Sequence, residues 1–167
     1  MEYSHFPVLY DAVIEGLDVK PDGIYVDGTL GGGGHSAGIL ERLTTGRLIA
    51  NDLDTAAIEN AKQRFATKLD KITFFHDDYK NLAENLDEIG VNEVDGILLD
   101  LGVSSYQLDN AERGFSYMKN AKLDMRMNPE QKISAYEVIN EYSEDELSKI
   151  LFEYGEERYA RRIASSI

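Results

Sequence analysis

Short apolar runs and helical periods alternate along the first hundred residues of the chain. Predicted strands that contain these runs begin at Ile24, Arg47, Ile72 and Gly96, and an aspartate follows each run within two residues. Between the runs, apolar residues recur every three or four positions, which is the spacing of a helix that buries one face. Residues 96–99 are apolar throughout, which is typical of a parallel strand buried on both faces. The pattern predicts an α/β fold with four parallel strands.

Helices are predicted before and between these strands. Pro7 can occupy a first helical turn, and the apolar residues after it recur at helical spacing as far as Leu17. Asp54 can cap a later helix, because its carboxylate can accept a hydrogen bond from a first-turn amide. One of the remaining helices is predicted over residues 36–43. The apolar positions of the other two are Ile58, Ala61, Phe65 and Leu69, and then Leu82, Leu86 and Ile89.

The pattern changes after Asp100. Residues 101–129 show neither period, which is typical of a loop that lines a site or belongs to a separate subdomain. Two capping-box spacings then predict helix starts. The second helix has one apolar face and Gly155 as its predicted C-cap. The capping pairs are Ser134 with Glu137 and Ser143 with Glu146, the apolar face is Leu147, Ile150, Leu151 and Tyr154, and a last helix is expected over residues 156–167.

Composition and charge narrow the class of protein. The chain has 167 residues, 43% of them hydrophobic, which suits one compact domain with a real core. It has no cysteine, and neither a signal peptide nor a membrane span is indicated, so a cytoplasmic protein without a membrane role is expected. The net charge of -14 opposes non-specific attraction to phosphate, so any nucleic-acid contact must be local. No metal site is indicated, and a homodimer is left open.

Acidic residues mark the ends of all four predicted strands. In a doubly wound sheet these ends meet at one edge, where ligands bind. The glycine-rich residues 28–34 follow the first strand, let the backbone approach a ligand closely and lead into a helix N-terminus. The sequence therefore predicts a ligand site at this edge. The acidic ends are Asp27, Asp52, Asp77 with Asp78, and Asp100.

Asp52 and the glycine cluster favour a cofactor that contains adenosine. Asp52 follows the cluster at about the interval from which an acidic side chain reaches a cofactor ribose. Gly32, Gly34 and Ala37 fit a relaxed dinucleotide fingerprint, although a tight turn without a ligand needs the same glycines. A sulfonium cofactor is positively charged and has no pyrophosphate, so the acidic strand ends favour S-adenosylmethionine over NAD.

The third and fourth strand ends each allow two interpretations. Asp77 or Asp78 could bond an adenine against which Tyr79 packs, or the two carboxylates could cap the next helix. Asp100 could accept a hydrogen bond from the amine that receives the methyl group and so help the nitrogen of that amine rehybridise. Alternatively, Asp100 could bind the cofactor alone. Amino methyltransferases commonly carry a Pro-Pro-aromatic run after this position, and the chain has neither proline nor aromatic there.

Five motifs in order resemble the RsmH (MraW) family of bacterial enzymes. They are YVDGTLGGGGHS at residues 25–36, LLDLGVSS at 98–105, ERGFS at 112–116, LDMRM at 123–127 and YGEER at 154–158. The resemblance implies methylation of N4 of a cytidine in small-subunit ribosomal RNA, with S-adenosylmethionine as cofactor. It runs over essentially the whole chain but covers about the N-terminal half of the family's usual length, so a truncated chain is expected.

The resemblance also implies a domain organisation and a set of site residues. Residues 1–105 are expected to form a Rossmann-like cofactor-binding domain of the methyltransferase type. Residues 106–167 are expected to hold an irregular loop and part of a helical inserted subdomain on the substrate side. The implied cofactor contacts are Gly33, Gly34, His35, Asp52, Tyr79, Asp100 and Gln107.

Further residues are candidates for contact with the acceptor. Asp100 is the first choice for holding the amine, and Ser104, Ser105 and Asp124 are additional candidates for contact with the target base, which must be unstacked. A basic cluster could position RNA phosphates, or it could be a solvated or ion-paired loop. Its members are Arg113, Lys119, Lys122 and Arg126.

Three other functions fit parts of the same pattern. An NAD-dependent oxidoreductase would use a glycine turn and Asp52, but it needs a pyrophosphate fit and a proton donor that the sequence does not offer. A non-catalytic module would bind S-adenosylmethionine without RNA affinity. A purely structural domain would respond to replacement of Asp52 or Gly33 in its stability alone.

Overall fold

A computed structural model describes residues 7–167, which divide into two compact units. The first unit extends to Tyr106, and the second is Gln107–Ile167, so that the division falls within a short helix. The helices and strands run along the chain as α1 (Tyr10–Leu17), β1 (Ile24–Asp27), α2 (Gly34–Arg42), β2 (Arg47–Asp52), α3 (Thr55–Arg64), β3 (Ile72–His76), α4 (Leu82–Glu88), β4 (Gly96–Leu98), α5 (Ser105–Asp109), α6 (Ala135–Glu141), α7 (Glu144–Glu153) and α8 (Ala160–Ser166).

The first unit is built on a parallel sheet. Within residues 7–167 its four strands lie in the order β3-β2-β1-β4, and every neighbouring pair is parallel. The register pairs Val26 of β1 with Ile49 of β2 and with Ile97 of β4. The predicted Rossmann-like α/β fold is confirmed, and the carboxyl ends of the strands meet at one edge as expected.

Two apolar layers cover the central strands. Alternate residues of a strand point to opposite faces, so Tyr25 and Leu48 join a core with α1, α2 and α3, whereas Val26 and Ile49 join one with residues of α4 and its flanking loops. All four side chains are at most 1% exposed. Burial on both faces explains the uninterrupted apolar runs at residues 24–26 in β1 and 48–50 in β2.

The edge strand β4 differs from its prediction. We expected the run over residues 96–99 to be buried on both faces, but Ile97 is 49% exposed and Leu99 is 45% exposed. The physical reason is position: β4 pairs only with β1 among the described strands, so one long side of it has no neighbour in residues 7–167. The apolar sequence correctly indicated a strand and wrongly indicated its burial.

The leading helix also differs in its bounds. It begins at Tyr10 rather than near Pro7, because Leu9 adopts a left-handed conformation with φ of 51°. Val8 and Leu9 are therefore largely exposed, and Ile14 is the residue of this helix that enters the core. Leu69, expected on α3, lies in a separate 3-10 turn and is 45% exposed.

The second unit contains a long irregular segment and three helices. Both predicted capping boxes are confirmed: the backbone amides of Ser134 and Ser143 donate to Glu137 and Glu146 over 2.7 and 2.8 Å. Helices α7 and α8 pack together, and their buried residues are Leu147, Ala160 and Ala164. The Gly155 C-cap is wrong, since α7 ends at Glu153 with Tyr154 as its C-cap, and the left-handed residue is Glu156. No helix among residues 7–167 is long and apolar enough to cross a membrane.

Truncating a central and an edge isoleucine should give very different losses of stability. Ile49→Ala removes a side chain that is 0% exposed and leaves a cavity, so we expect the free energy of unfolding to fall by about 2–5 kcal/mol. Ile97→Ala makes the same chemical change at the edge, where we expect a loss under about 1 kcal/mol. Urea unfolding followed by circular dichroism measures both. Equal losses would contradict an exposed β4.

Candidate active site

A buried carboxylate ends β1 and holds the glycine turn. Asp27 is 1% exposed, its Oδ1 accepts from the Thr29 amide over 3.2 Å, and its Oδ2 accepts from the Ser36 hydroxyl over 2.7 Å. Because Ser36 lies in the first turn of α2, these bonds join the strand end to the helix start. Burial raises the pKa of Asp27 to about 6, although the hydrogen bonds from Ser36 and Thr29 act in the opposite direction.

Two glycines between these points cannot be replaced without a clash. Gly33 is the N-cap of α2 with φ of 70°, and a Cβ there would lie 3.1 Å from the Phe65 ring. A Cβ at Gly34 would overlap the ring of Pro7. Glycine is the residue that tolerates such a backbone and such close packing. The turn therefore delivers first-turn amides of α2, which have no intrahelical partners, to the carboxyl edge of the sheet.

Asp52 at the end of β2 is bonded to the same turn. Its Oδ2 accepts from the Gly31 amide over 2.7 Å, and its Oδ1 accepts from the Asp54 amide over 2.8 Å. Desolvation by burial raises the pKa of Asp52, and the two amide bonds partly offset that effect. Each carboxylate oxygen keeps a second lone pair that a ligand hydroxyl can use.

Asp100 and His35 meet beside the turn. The Asp100 amide donates to the Thr29 hydroxyl over 2.6 Å, which ties the chain after β4 to the glycine turn. The Asp100 side chain is 51% exposed, and its Oδ2 lies 3.8 Å from Nδ1 of His35. His35 is nearly buried, and its Nε2 lies 3.1 Å from the Val8 carbonyl, so Nε2 must donate and Nδ1 faces Asp100.

After β3, both carboxylates are engaged in local hydrogen bonds and the tyrosine stays accessible. Asp77 accepts from the Asp78 amide and from the side chains of Asn81 and Asn85 over 2.7–3.1 Å, and the Asp78 amide bond leads the causes that lower its pKa. Asp78 caps the following turn by accepting from the Lys80 amide. The capping interpretation thus holds for Asp78, whereas Asp77 binds the side chains of two asparagines at the start of and within α4. Tyr79 is 43% exposed, and its Cβ lies close to Gly28 in the first turn.

The remaining candidates follow β4 or belong to the second unit. Ser104 and Ser105 are half-buried at the start of α5, and Gln107 is 5% exposed. Asp124 accepts from Arg126 through both carboxylate oxygens, over 2.9 and 2.6 Å, and its pKa is lowered mainly by that side-chain bond. This pair is the ion-paired alternative that the sequence had left open.

The basic cluster in the second unit is partly engaged by its own loop. Arg113 donates to the carbonyls of Arg126 and Met127 over 2.9 and 3.0 Å, and Lys119 donates to the carbonyl of Asp109. Lys122 is exposed. The two arginines therefore shape the loop, Lys119 is bonded to Asp109, and Lys122 lies exposed.

Comparison with known proteins gives the family. The sequence matches the MraW methylase family over residues 2–167. The chain belongs to this family. The resemblance noted from the five motifs is thus confirmed.

Curated relatives and a solved structure are similar to this MraW-family chain. Ribosomal RNA small subunit methyltransferase H of Clostridium botulinum (strain Kyoto / Type A2) is 53% identical over 168 residues, which is 100% of this chain and 54% of the relative. The protein of that name from Fusobacterium nucleatum is 56% identical over 164 residues, 98% of this chain and 52% of the relative. The chain spans about half the length of the curated relatives it matches. A structure described as a candidate rRNA methylase from Clostridium thermocellum shares the fold, with a TM-score of 0.52, 21% identity, and coverage of 60% of this chain and 54% of that one.

Two residues of this MraW-family site were missed in the sequence. Asn51 is 1% exposed, and its Nδ2 donates to the carbonyls of Asp77 and Gly28 over 2.9 and 3.4 Å, so it joins β2 to the loops after β1 and β3. Its Oδ1 has no partner among the described residues. An amide inside an apolar strand was the available signal, and Ser36 gave none beyond its place after the glycines.

The buried Asp27 should give the MraW-family chain a specific pH dependence. The folded chain holds the Asp27 proton more tightly than the unfolded chain, in which an aspartate titrates near pH 3.9. Stability from this group is therefore present below about pH 4 and is lost as the pH rises to about 6. Relative to Asp27→Asn, we expect the free energy of unfolding to fall by on the order of 3 kcal/mol across that window.

Urea unfolding at several pH values measures this difference. Asp70→Asn is the matched control, because Asp70 is exposed. The difference in free energy of unfolding between the natural chain and Asp70→Asn should not change with pH. A constant difference between the natural chain and Asp27→Asn would show that Asp27 ionises normally.

Proposed function

We propose that this chain carries the S-adenosylmethionine site of an enzyme that methylates N4 of a cytidine in small-subunit ribosomal RNA. The observation that carries the proposal is the placement of Asp52 and Asp100 on opposite sides of one glycine turn, in a chain of the MraW methylase family. The curated relatives are named as ribosomal RNA small subunit methyltransferases, which supports the same substrate class.

The charge of the edge suits a sulfonium better than a dinucleotide. In dinucleotide-binding folds the amides of the glycine turn face a pyrophosphate. Here the Gly31 amide is already bonded to Asp52, and the Asp100 carboxylate lies 3.8 Å from His35 in the first turn of α2. Two carboxylates at these points would repel a pyrophosphate and attract a positive charge.

The predicted cofactor contacts have different proposed parts in holding the cofactor. The backbone of Gly33, Gly34 and His35 lines the turn, where side chains are excluded by Phe65 and Pro7. Asp52 accepts from ribose hydroxyls through its remaining lone pairs. Tyr79 offers an accessible ring for the adenine. Gln107, a buried amide, is proposed as a further contact on the strength of the family motif.

Asp100 is proposed to orient the acceptor. When bound, S-adenosylmethionine supplies an electrophilic methyl group. The half-exposed Asp100 carboxylate can accept a hydrogen bond from an N–H of the cytosine amine. This bond favours the pyramidal form of the nitrogen, which attacks the methyl group. Ser104 and Ser105 follow Asp100 closely and are proposed to contact the base. Asp124 is the weakest of these candidates, because Arg126 occupies both of its oxygens.

RNA contact must come from local positive charge, since the chain as a whole carries -14. Lys119 and Lys122 are the proposed phosphate contacts. Arg113 and Arg126 are proposed to act mainly by holding the loop that carries them. An enzyme that acts on ribosomal RNA is inferred to work in the cytoplasm.

Calorimetry with S-adenosylmethionine and NAD tests the cofactor assignment. We expect heat from S-adenosylmethionine alone. Asp52→Asn keeps an oxygen for the Gly31 amide but loses the charge and one acceptor, so affinity should fall about 10- to 100-fold, the equivalent of one to two charge-assisted hydrogen bonds.

Asp70→Asn makes the same change on an exposed residue of the 3-10 turn and should leave the affinity unchanged. Binding of NAD alone would replace the proposal with an oxidoreductase. Silence from both ligands, in a sample with a cooperative unfolding transition, would show that these residues hold no working cofactor site.

A further inference from the structure

Residues 113–126 form a loop whose base is closed by its own backbone. The Met125 amide donates to the Arg113 carbonyl over 3.0 Å, and the Arg113 guanidinium donates to the carbonyls of Arg126 and Met127. Gly114 has φ of 71°, and a Cβ there would lie 2.5 Å from the Lys122 carbonyl oxygen. The two ends of the loop are therefore packed backbone against backbone, which fixes the position of the segment between them.

The tip of this loop presents an aromatic ring to solvent. The Lys119 amide donates to the Ser116 carbonyl and the Met118 amide donates to the Ser116 hydroxyl, so residues 116–119 form a turn. Tyr117, at the outer corner of that turn, is 97% exposed, and Met118 is 77% exposed. Phe115, by contrast, is half-buried against the guanidinium of Arg113. The loop thus buries one aromatic residue in its base and displays another.

The charge around the displayed ring is positive in a strongly acidic chain. Residues 113–126 contain four basic residues and one acidic residue, whereas the whole chain carries -14. Asp124 is neutralised by Arg126 at the base. Lys119 ends the turn and pairs with Asp109, whereas Lys122, three residues further along the chain, is exposed and sets the local positive potential.

We propose that Tyr117 is a stacking surface for an unpaired base of the RNA substrate, with Lys122 contacting the adjoining phosphate. The proposal rests on the proposed function and names the form of RNA that is bound: a single-stranded segment. Exposed aromatic rings interleaved with basic residues bind single strands, because every base has a face that can stack and the phosphates supply the charge. In duplex RNA the bases are already stacked on one another and are not available to the ring.

Binding of single-stranded RNA by loop variants tests this proposal. The probe is a labelled oligocytidine of about 12 nucleotides, a length within the range of known single-strand sites. Tyr117→Ala should weaken binding about 5- to 100-fold, and Tyr117→Phe should bind within about twofold of the natural chain, because the ring face is retained. Tyr154→Ala is the matched control, since Tyr154 is 83% exposed in the same unit but lies outside the loop.

Salt dependence separates the two contacts. Lys122→Gln should reduce the slope of log affinity against log salt by about 0.7, the value for one phosphate contact on a single strand. Tyr117→Ala should lower affinity by the same factor at every salt concentration, because stacking releases no counterion. A duplex of the same length should show no response to Tyr117→Ala.

Several results would overturn the proposal. RNA affinity that is unchanged in Tyr117→Ala, or reduced equally in Tyr154→Ala, would mean that the ring is not a stacking surface. Absence of measurable binding by the natural chain would do the same. S-adenosylmethionine binding is measured on each sample, and it should be unaffected by Tyr117→Ala. If the natural chain does not bind S-adenosylmethionine, that result counts against the proposed function. If it binds the cofactor but Tyr117→Ala leaves RNA affinity unchanged, the result counts against the stacking surface alone.

Discussion

The carboxylate of Asp27 lies buried at the end of β1 and accepts hydrogen bonds from the Thr29 amide and the Ser36 hydroxyl. These bonds join a strand to the helix that follows it and so determine the path of the glycine-rich backbone between them. Along that path, the Thr29 hydroxyl reaches the Asp100 amide and the Gly31 amide reaches Asp52. The turn that contacts both Asp52 and Asp100 is therefore held by one internal acid.

Such an acid is costly for the fold. Removing a carboxylate from water disfavours its charged form, and two hydrogen bonds compensate only in part. Groups with strongly perturbed ionisation collect at functional sites, where geometry matters more than stability. Asn51 is a similar case, because its buried amide, whose oxygen has no partner within residues 7–167, links β2 to two loops that an apolar residue could not join.

The two units distribute charge in different ways. The carboxyl edge of the first unit gathers carboxylates, which suits a cationic cofactor and would repel a polyanion. In the second unit, Arg113 and Arg126 are used to build a loop, and that loop carries the exposed ring of Tyr117 followed by two lysines. An acidic chain can accept an RNA substrate only if its positive charge is local in this way.

The periodicity of the sequence was sufficient to determine the strands, the presence of the helices between them and both capping boxes, because these depend on near neighbours along the chain. Several helix bounds, such as the start of α1 and of α8, differ from the prediction. Strand ends at Asp27, Asp52 and Asp100 could likewise be assigned, since parallel strands share a carboxyl edge. Tertiary structure alone decided which of these residues are bonded to one another and which side chains stay exposed. Asp52 reaches Gly31 and Asp100 reaches Thr29 only once the sheet brings distant segments together, and Ile97 is exposed because of its place in the strand order. Those outcomes depend on contacts between residues far apart in sequence, which local patterns do not encode.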